Sequence, residues 1–357
     1  LSTVIQTTAS GSEDDCELLA DGSELGYYWT QSTFKSIAGD AATKEHTMTQ
    51  HLDTQVSATP VGCPVAHHSR SATGSVTLPG STPERGDEGY FGPDSISWRI
   101  FSDPSSKLGG VAAILLQSLN PMMMRVFDGT SGYATDMEGR GERTGQYIDT
   151  TVSGDKAHAD AAGEAVQRLH AHSVWTDPRT GEELRADNEE WLAWTHNAIV
   201  YGVLRAADAF GPMLTVAEQD RFVTEQLEAA RIVGITDASF LPTTRAALDA
   251  YIESNKNWMA LTLPAAEISR NLRKPDLSGN PIKVWAGINI QDGILSLLPD
   301  WALLLFGVDG RPMNMRAAAR TTRRFIESAR KSTSTEQMVT EITERVQTHP
   351  YRKVRSR

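Results

Sequence analysis

Arg140-Gly-Glu-Arg-Thr-Gly-Gln-Tyr147, then Val166-Gln-Arg-Leu-His-Ala-His172, then a polar turn, then Trp191-Leu-Ala-Trp-Thr-His196: this block carries the helical periods that set the fold class. Thr135-Asp136 can cap a helix that passes through Tyr147 and Thr151. Gly154-Asp155 punctuates it, and a second helix is expected over about 156–174. Asp177-Pro-Arg-Thr-Gly-Glu182 reads as a turn. Asp187-Asn-Glu-Glu190 then opens a third helix with acidic residues in its first turn, where the helix dipole favours them. That helix should run to Phe210 and stop at Gly211-Pro212.

The pattern continues outward in both directions. Thr215-Val-Ala-Glu218 has the form of a capping box, and its helix should end near Val233 at Gly234. Further helices are expected at about 242–259, 264–273, 291–306, 311–332 and 334–348, with residues 274–290 as a connection. Upstream, Lys107–Met124 is apolar almost all round, which places it in the middle of a bundle. Gly109 and Gly110 would let another backbone come close. Pro121 should break or kink this helix, and Met122-Met-Met124 reads as adaptable core filler. Residues 89–101 end in a strand-like alternation, yet Pro93-Asp-Ser95 also suits a helix start, and both readings stand. No run of alternating strands is visible after residue 101.

These readings give an all-α protein: a single helical domain over 88–348, a basic tail over 349–357 and an irregular arm over 1–87. The arm is rich in Ser, Thr, Gly, Asp and Pro. It holds the only two cysteines, Cys16 and Cys63, enough for one disulfide but not for a Cys-rich zinc site. His67-His68 lies there too, with no third ligand at metal spacing. The net charge of −11 argues against a nucleic-acid partner, because phosphate recognition needs a basic face. No signal peptide is visible in residues 1–30, and no apolar run approaches the roughly 20 residues of a membrane span. A soluble, cytoplasmic protein is expected.

Several chemistries are excluded by missing motifs. The chain has no Gly-x-Gly-x-x-Gly, no P-loop, no Gly-x-Ser-x-Gly elbow and no pair of Glu-x-x-His motifs. His170-Ala-His172 resembles a metal dyad on paper. On a helix, however, positions two apart point about 200° apart, so they cannot hold one ion. His170 shares a face with Gly163, Val166 and Val174. His196 sits in the stripe Leu192, Ile199 or Val200, and Val203. Each imidazole is therefore either a ligand or a core histidine bonded to a carbonyl or carboxylate. Arg140 and Thr144 are neighbours at i, i+4, as are Arg143 and Tyr147. The arginines suit an anionic group, or else surface pairs with Glu138 and Glu142.

A longer series adds to this. Gly89-Tyr-Phe-Gly-Pro-Asp-Ser-Ile-Ser-Trp-Arg99, Gly109-Gly-Val-Ala-Ala-Ile-Leu-Leu-Gln-Ser-Leu-Asn-Pro121, Arg140-x-x-Arg-Thr144-x-x-Tyr147, Gly154-Asp155, Val166-x-x-Leu-His170, Trp194-Thr-His196 and Asp220-Arg-Phe-Val-Thr-Glu225 occur in order. The series resembles the family of the latex-clearing rubber oxygenases and the membrane-bound oxygenase of mycophenolic acid biosynthesis. The similarity covers roughly 88–305 and leaves out the arm. The family has many bacterial members, and this chain is expected among them.

The resemblance implies an all-α fold around a buried haem pocket holding haem b and its iron, with a histidine as the proximal ligand. His170 best matches that ligand. His196 matches a second recurrent histidine, as pocket lining or an alternative axial ligand, and Tyr147 is placed with them around the cofactor. Arg140 and Thr144 match the distal side, where they would donate hydrogen bonds to dioxygen. Arg143 stands where rubber-cleaving members carry a lysine. The two cations differ in shape and proton chemistry, so polyisoprene is not expected as substrate. The implied function is a haem-dependent oxygenase that uses O2 on a hydrophobic small molecule. Two other classes stay open: a carrier or sensor that holds haem or a lipophile without turnover, and a cofactor-free helical interaction protein with both histidines in its core.

Overall fold

The structure is a computed structural model that describes residues 87–130, 137–273 and 281–332. Among these it contains twelve α-helices and one small two-stranded ribbon. The helices are α1 (Ile96–Phe101), α2 (Ser105–Gln117), α3 (Pro121–Thr130), α4 (Met137–Ser153), α5 (Lys156–His172), α6 (Glu189–Phe210), α7 (Val216–Val233), α8 (Arg245–Ser254), α9 (Leu263–Arg273), α10 (Pro281–Leu295), α11 (Asp300–Leu305) and α12 (Pro312–Ser332). Strands β1 (Val174–Thr176) and β2 (Glu183–Arg185) pair antiparallel, with Val174 opposite Arg185, and lie between α5 and α6. The all-α expectation holds. The arm, both cysteines, His67-His68, the expected helix 334–348 and the tail lie outside the described residues.

The centre is the pair α2 and α6, the most extensive helix–helix packing among the described elements. A Cβ built on Gly211 would meet the Ser105 Oγ at 2.7 Å, and one on Gly109 would meet the Gly202 oxygen at 2.6 Å. At the other end, the Gln117 Nε2 donates to the Thr195 carbonyl at 2.9 Å. The two helices therefore run antiparallel along their length, with no room for side chains where Gly109 crosses Gly202. Leu108, Ala112, Leu115 and Leu116 of α2 and Trp194, Val200, Val203, Leu204 and Phe210 of α6 are buried in the main core. Burial on several faces is why neither segment shows a polar stripe.

Polar ties fasten the surrounding helices. The Glu225 carboxylate on α7 accepts from the Ile96 and Ser97 amides and from the Ser97 hydroxyl, at 3.2, 2.7 and 2.8 Å. An acidic group at a helix N-terminus satisfies orphan amides and the dipole together. The Asp220 carboxylate accepts from the Arg245 amide at the start of α8. The 220–225 motif thus anchors two helices. On α12, the Arg330 Nε donates to the Asp103 carboxylate at 2.5 Å and its NH2 donates to the Phe210 carbonyl at 2.5 Å. Arg323 donates to the Ala209 carbonyl. Two cations therefore sit at the C-terminus of α6.

One open alternative is settled, the expected break at Pro121 is found, and two expectations change in detail. Residues 96–101 form a helix, capped by Ser95, rather than a strand. The apolar segment 107–124 is two helices bent by 101° at Pro121, which occupies the first helical position of α3 where its missing N–H is harmless. The helix expected to reach 174 ends at His172, and β1 follows where only a turn and coil were read. The connection placed at 274–290 becomes helix from Pro281, and Pro299 separates α10 from α11. No single described helix is long and apolar enough to cross a membrane. The bent pair α2–α3 passes on length and composition, yet much of α2 lies in the core.

The crossing makes a sharp contrast. In Gly109→Ala or Gly202→Ala the new methyl meets backbone atoms at 2.5–2.6 Å, so the helices must separate. Stability should fall by about 3 kcal/mol, the upper range for overpacking. Gly110→Ala, with nothing within 4 Å, should be neutral or stabilise by up to about 1 kcal/mol through helix propensity. Urea unfolding of the three variants measures this contrast.

Candidate active site

The site begins with two helices that pack on each other, α4 and α5. The α5 helix starts at Asp155, whose side chain accepts from the His158 amide. Gly163 lets α5 approach α7, because a Cβ there would meet the Ile232 carbonyl at 2.5 Å. This docking fixes the rotation of α5 and therefore which imidazole points inward. His170 is half-buried, and its Nδ1 is shielded from water with no hydrogen-bond partner. His172 is exposed, and its Nδ1 pairs with the Arg168 carbonyl at 2.6 Å. The two rings part as helical geometry requires.

Arg140 comes to His170 from α4. Its guanidinium carbon stands 4.0 Å from the Phe127 ring centroid, a cation–π arrangement with α3. Burial, and then the charge of Arg143, pull its pKa down to about 10. No anion among the described residues pairs with it. Burying a cation without a counter-charge is costly, so this geometry calls for a negative or strongly polar guest. His170 is pushed below its ordinary pKa by burial first and by the Arg140 charge second, while Asp187 opposes both. The ring is therefore neutral near pH 7 and keeps a lone pair for coordination.

The remaining expected residues fall in different places. Thr144 is exposed, and its hydroxyl donates to the Arg140 carbonyl at 3.0 Å within the same helix. Arg143 is exposed on that outer face. Tyr147 is half-buried, and its carbonyl accepts from the Thr151 hydroxyl. His196 lies on α6. Burial alone drives it down to about 4, so it too is neutral. Of the expected residues, Arg140 is the one whose charge acts on His170. No pairing joins the two imidazoles among the described residues. Phe127, Arg185 and Asp187 were missed in the sequence. The Gly181 turn flanked by Val174-Trp-Thr176 and Glu183-Leu-Arg185 was the available signal, a short hairpin pattern.

A comparison with family models matches residues 98–329 to "ER-bound oxygenase mpaB/B'/Rubber oxygenase, catalytic domain". That span is well over half of the chain. The chain belongs to this family. It is an oxygenase catalytic domain by descent, so an enzyme that takes a substrate and O2. No curated protein and no solved structure matches it.

The donor set decides what kind of cofactor suits this catalytic domain. Among the described residues no group of three His, Cys, Asp or Glu could hold a bare metal ion. A haem needs less: the porphyrin brings four nitrogens, and the protein adds one neutral imidazole. His170 offers a neutral ring whose buried Nδ1 is bonded to nothing. Arg140 offers a cation with no anionic partner among the described residues. The residues present fit a haem.

The depressed histidines carry a pH signature in the ligand-free protein. Below the ordinary value of 6.5 the unfolded chain takes up a proton that folded His196 refuses until about pH 4. Stability is then complete above about pH 6.5 and is lost as pH falls towards 4. From pH 7 to pH 5 the His196 share should be about 2 kcal/mol. His196→Gln should flatten that acid-side loss, read from urea midpoints at the two pH values.

Proposed function

We propose that this member of the family is a haem b-dependent oxygenase that acts on a hydrophobic small molecule, with His170 as the iron ligand. The observation that carries the reading is the Arg140–His170 pair: an unpaired buried guanidinium beside a neutral, partnerless imidazole. Each such group costs stability while it lacks a partner. Together they are the two groups a haem with its anionic and oxygen-facing sides would use. When bound, haem b supplies the redox chemistry that activates O2.

The chain's own residues would do the rest. His170, neutral near pH 7, presents a lone pair from the last turn of α5. Arg140 supplies a fixed positive charge from a site with little water, where its field is strongest. Phe127 holds the guanidinium flat against α3 and limits its reorientation. Thr144 ties the helical turn that carries Arg140. His196, uncharged near pH 7, would lie beside the cofactor or hold its iron in place of His170. The Phe127 ring against Arg140 would help to exclude water and to favour a lipophilic substrate. Arg143 faces outward where rubber-cleaving members have lysine, and a small molecule rather than polyisoprene is the proposed substrate.

The visible spectrum of protein purified with haem available tests the reading. A Soret band that His170→Ala abolishes and His196→Ala retains is the expected result. A well-folded protein without a Soret band ends the haem proposal, and the reverse pattern of loss would move the ligand to His196. In Arg140→Ala the band should stay, while oxygen consumption with a panel of unsaturated lipophiles should drop by about 100-fold or more.

A further inference from the structure

The last turn of α5 is tied down more completely than a helix end usually is. A helix leaves four terminal carbonyls without partners. Here four consecutive carbonyls at the helix end, those of residues 168 to 171, have donors from side chains or from the residue that follows the helix. The Arg168 carbonyl meets the His172 ring, the Leu169 carbonyl accepts from the Ser173 hydroxyl, and the His170 carbonyl accepts from the Ser173 amide. The fourth, on Ala171, accepts from the Arg185 NH2 at 3.2 Å. Three of these caps are local. The Arg185 cap comes from β2, across the ribbon, where the Ala186 amide also donates to the Ser173 carbonyl at 2.9 Å.

Arg185 is not an isolated cation. It grips Asp187 with two hydrogen bonds, Nε to Oδ1 at 2.9 Å and NH2 to Oδ2 at 2.8 Å. This forked pairing fixes the carboxylate plane as well as its position. Among the described residues the Asp187 charge acts on the His170 ring and opposes the effects of burial and Arg140 there. The same side chains line a cavity of about 300 Å³, together with Met122, Leu184 and Trp191. The ribbon is braced from the far side, because Gly129 of α3 leaves room for the Trp175 ring and Arg125 pairs with Asp177 at 3.2 Å.

We infer that the Arg185–Asp187 pair positions His170: Asp187 holds the Arg185 guanidinium in its fork, and Arg185 locks the backbone turn that carries the ring. Both are positioning residues and neither touches the reacting atoms. Partners that orient a ligating histidine are a general requirement of metal sites. Here the buried Nδ1 has no hydrogen-bonded partner, so orientation falls to the backbone clamp. The role as ligand rests on the function proposed above; the orientation of the ring does not.

Two readouts separate these. In the full-length protein as purified, before haem is added, nitrogen-15 NMR at pH 8 should show the His170 ring in one tautomer. In Asp187→Asn, and separately in Arg185→Ala, the ring signals should split or broaden into two forms. In the haem-loaded protein Asp187→Asn should also raise the reduction potential, since a nearby negative charge stabilises the oxidised iron. His170 signals that are unchanged in both variants overturn the inference, whether or not haem binds. A wild-type protein that takes up no haem ends the functional reading and leaves the ring measurement to judge the positioning claim alone.

Discussion

Two glycines hold the architecture at its narrowest point. Where Gly109 crosses Gly202 the backbones of α2 and α6 touch with no side chain between them. The antiparallel register follows, from Ser105 beside Gly211 to Gln117 beside Thr195. The main core is built around that axis. The position of His196 is a consequence, because α6 can rotate little once Gly202 is seated. The site is therefore framed by one rigid helix, α6, and by a second pair, α4 and α5, that leans on α7 through Gly163.

The electrostatic character of the site comes from what surrounds it. Two imidazoles are kept neutral mainly by burial, and one guanidinium is buried without an anion. Other cations meet carboxylates: Arg245 meets Asp208 and Asp249, Arg221 meets Glu225, and Arg99 meets Glu218. Arg140 meets none among the described residues, and the buried Arg205 Nε also lacks a hydrogen-bond partner. Membership of an oxygenase family and this charge imbalance are independent lines, one from descent and one from physics.

Much of the fold was legible because helix ends announce themselves. The capping box at Thr215 and Glu218, the left-handed Gly234 at φ 100° and the stop at Gly211 are all present where the residues foretold them. Composition misled at 281–290: Pro, Gly and Asn there suggested a connection, but Pro281 starts a helix and apolar residues run round it. The ribbon escaped notice because three residues per strand are too few to show a period. The inward turn of His170 and outward turn of His172 follow from helix geometry alone. The separation of Arg140 from Thr144 does not. They share a face by spacing, yet the long arginine reaches in to Phe127 while the short threonine bonds back to its own helix and stays in water.

The Arg330 clamp also bears on how the chain comes together. Its two acceptors, Asp103 and the Phe210 carbonyl, belong to opposite ends of neighbouring helices, and Asp103 lies 227 positions earlier in the chain. The clamp has nothing to bind until α2 and α6 already lie side by side. During synthesis α12 leaves the ribosome after every other described element. Until it arrives, the Asp103 carboxylate has the Ser105 amide and hydroxyl as partners but no counter-charge from Arg330. Closing so long a loop is slow compared with pairing α4 to α5 or folding the ribbon. The helix that seals the bundle is thus a late arrival, docking on a surface its predecessors have finished.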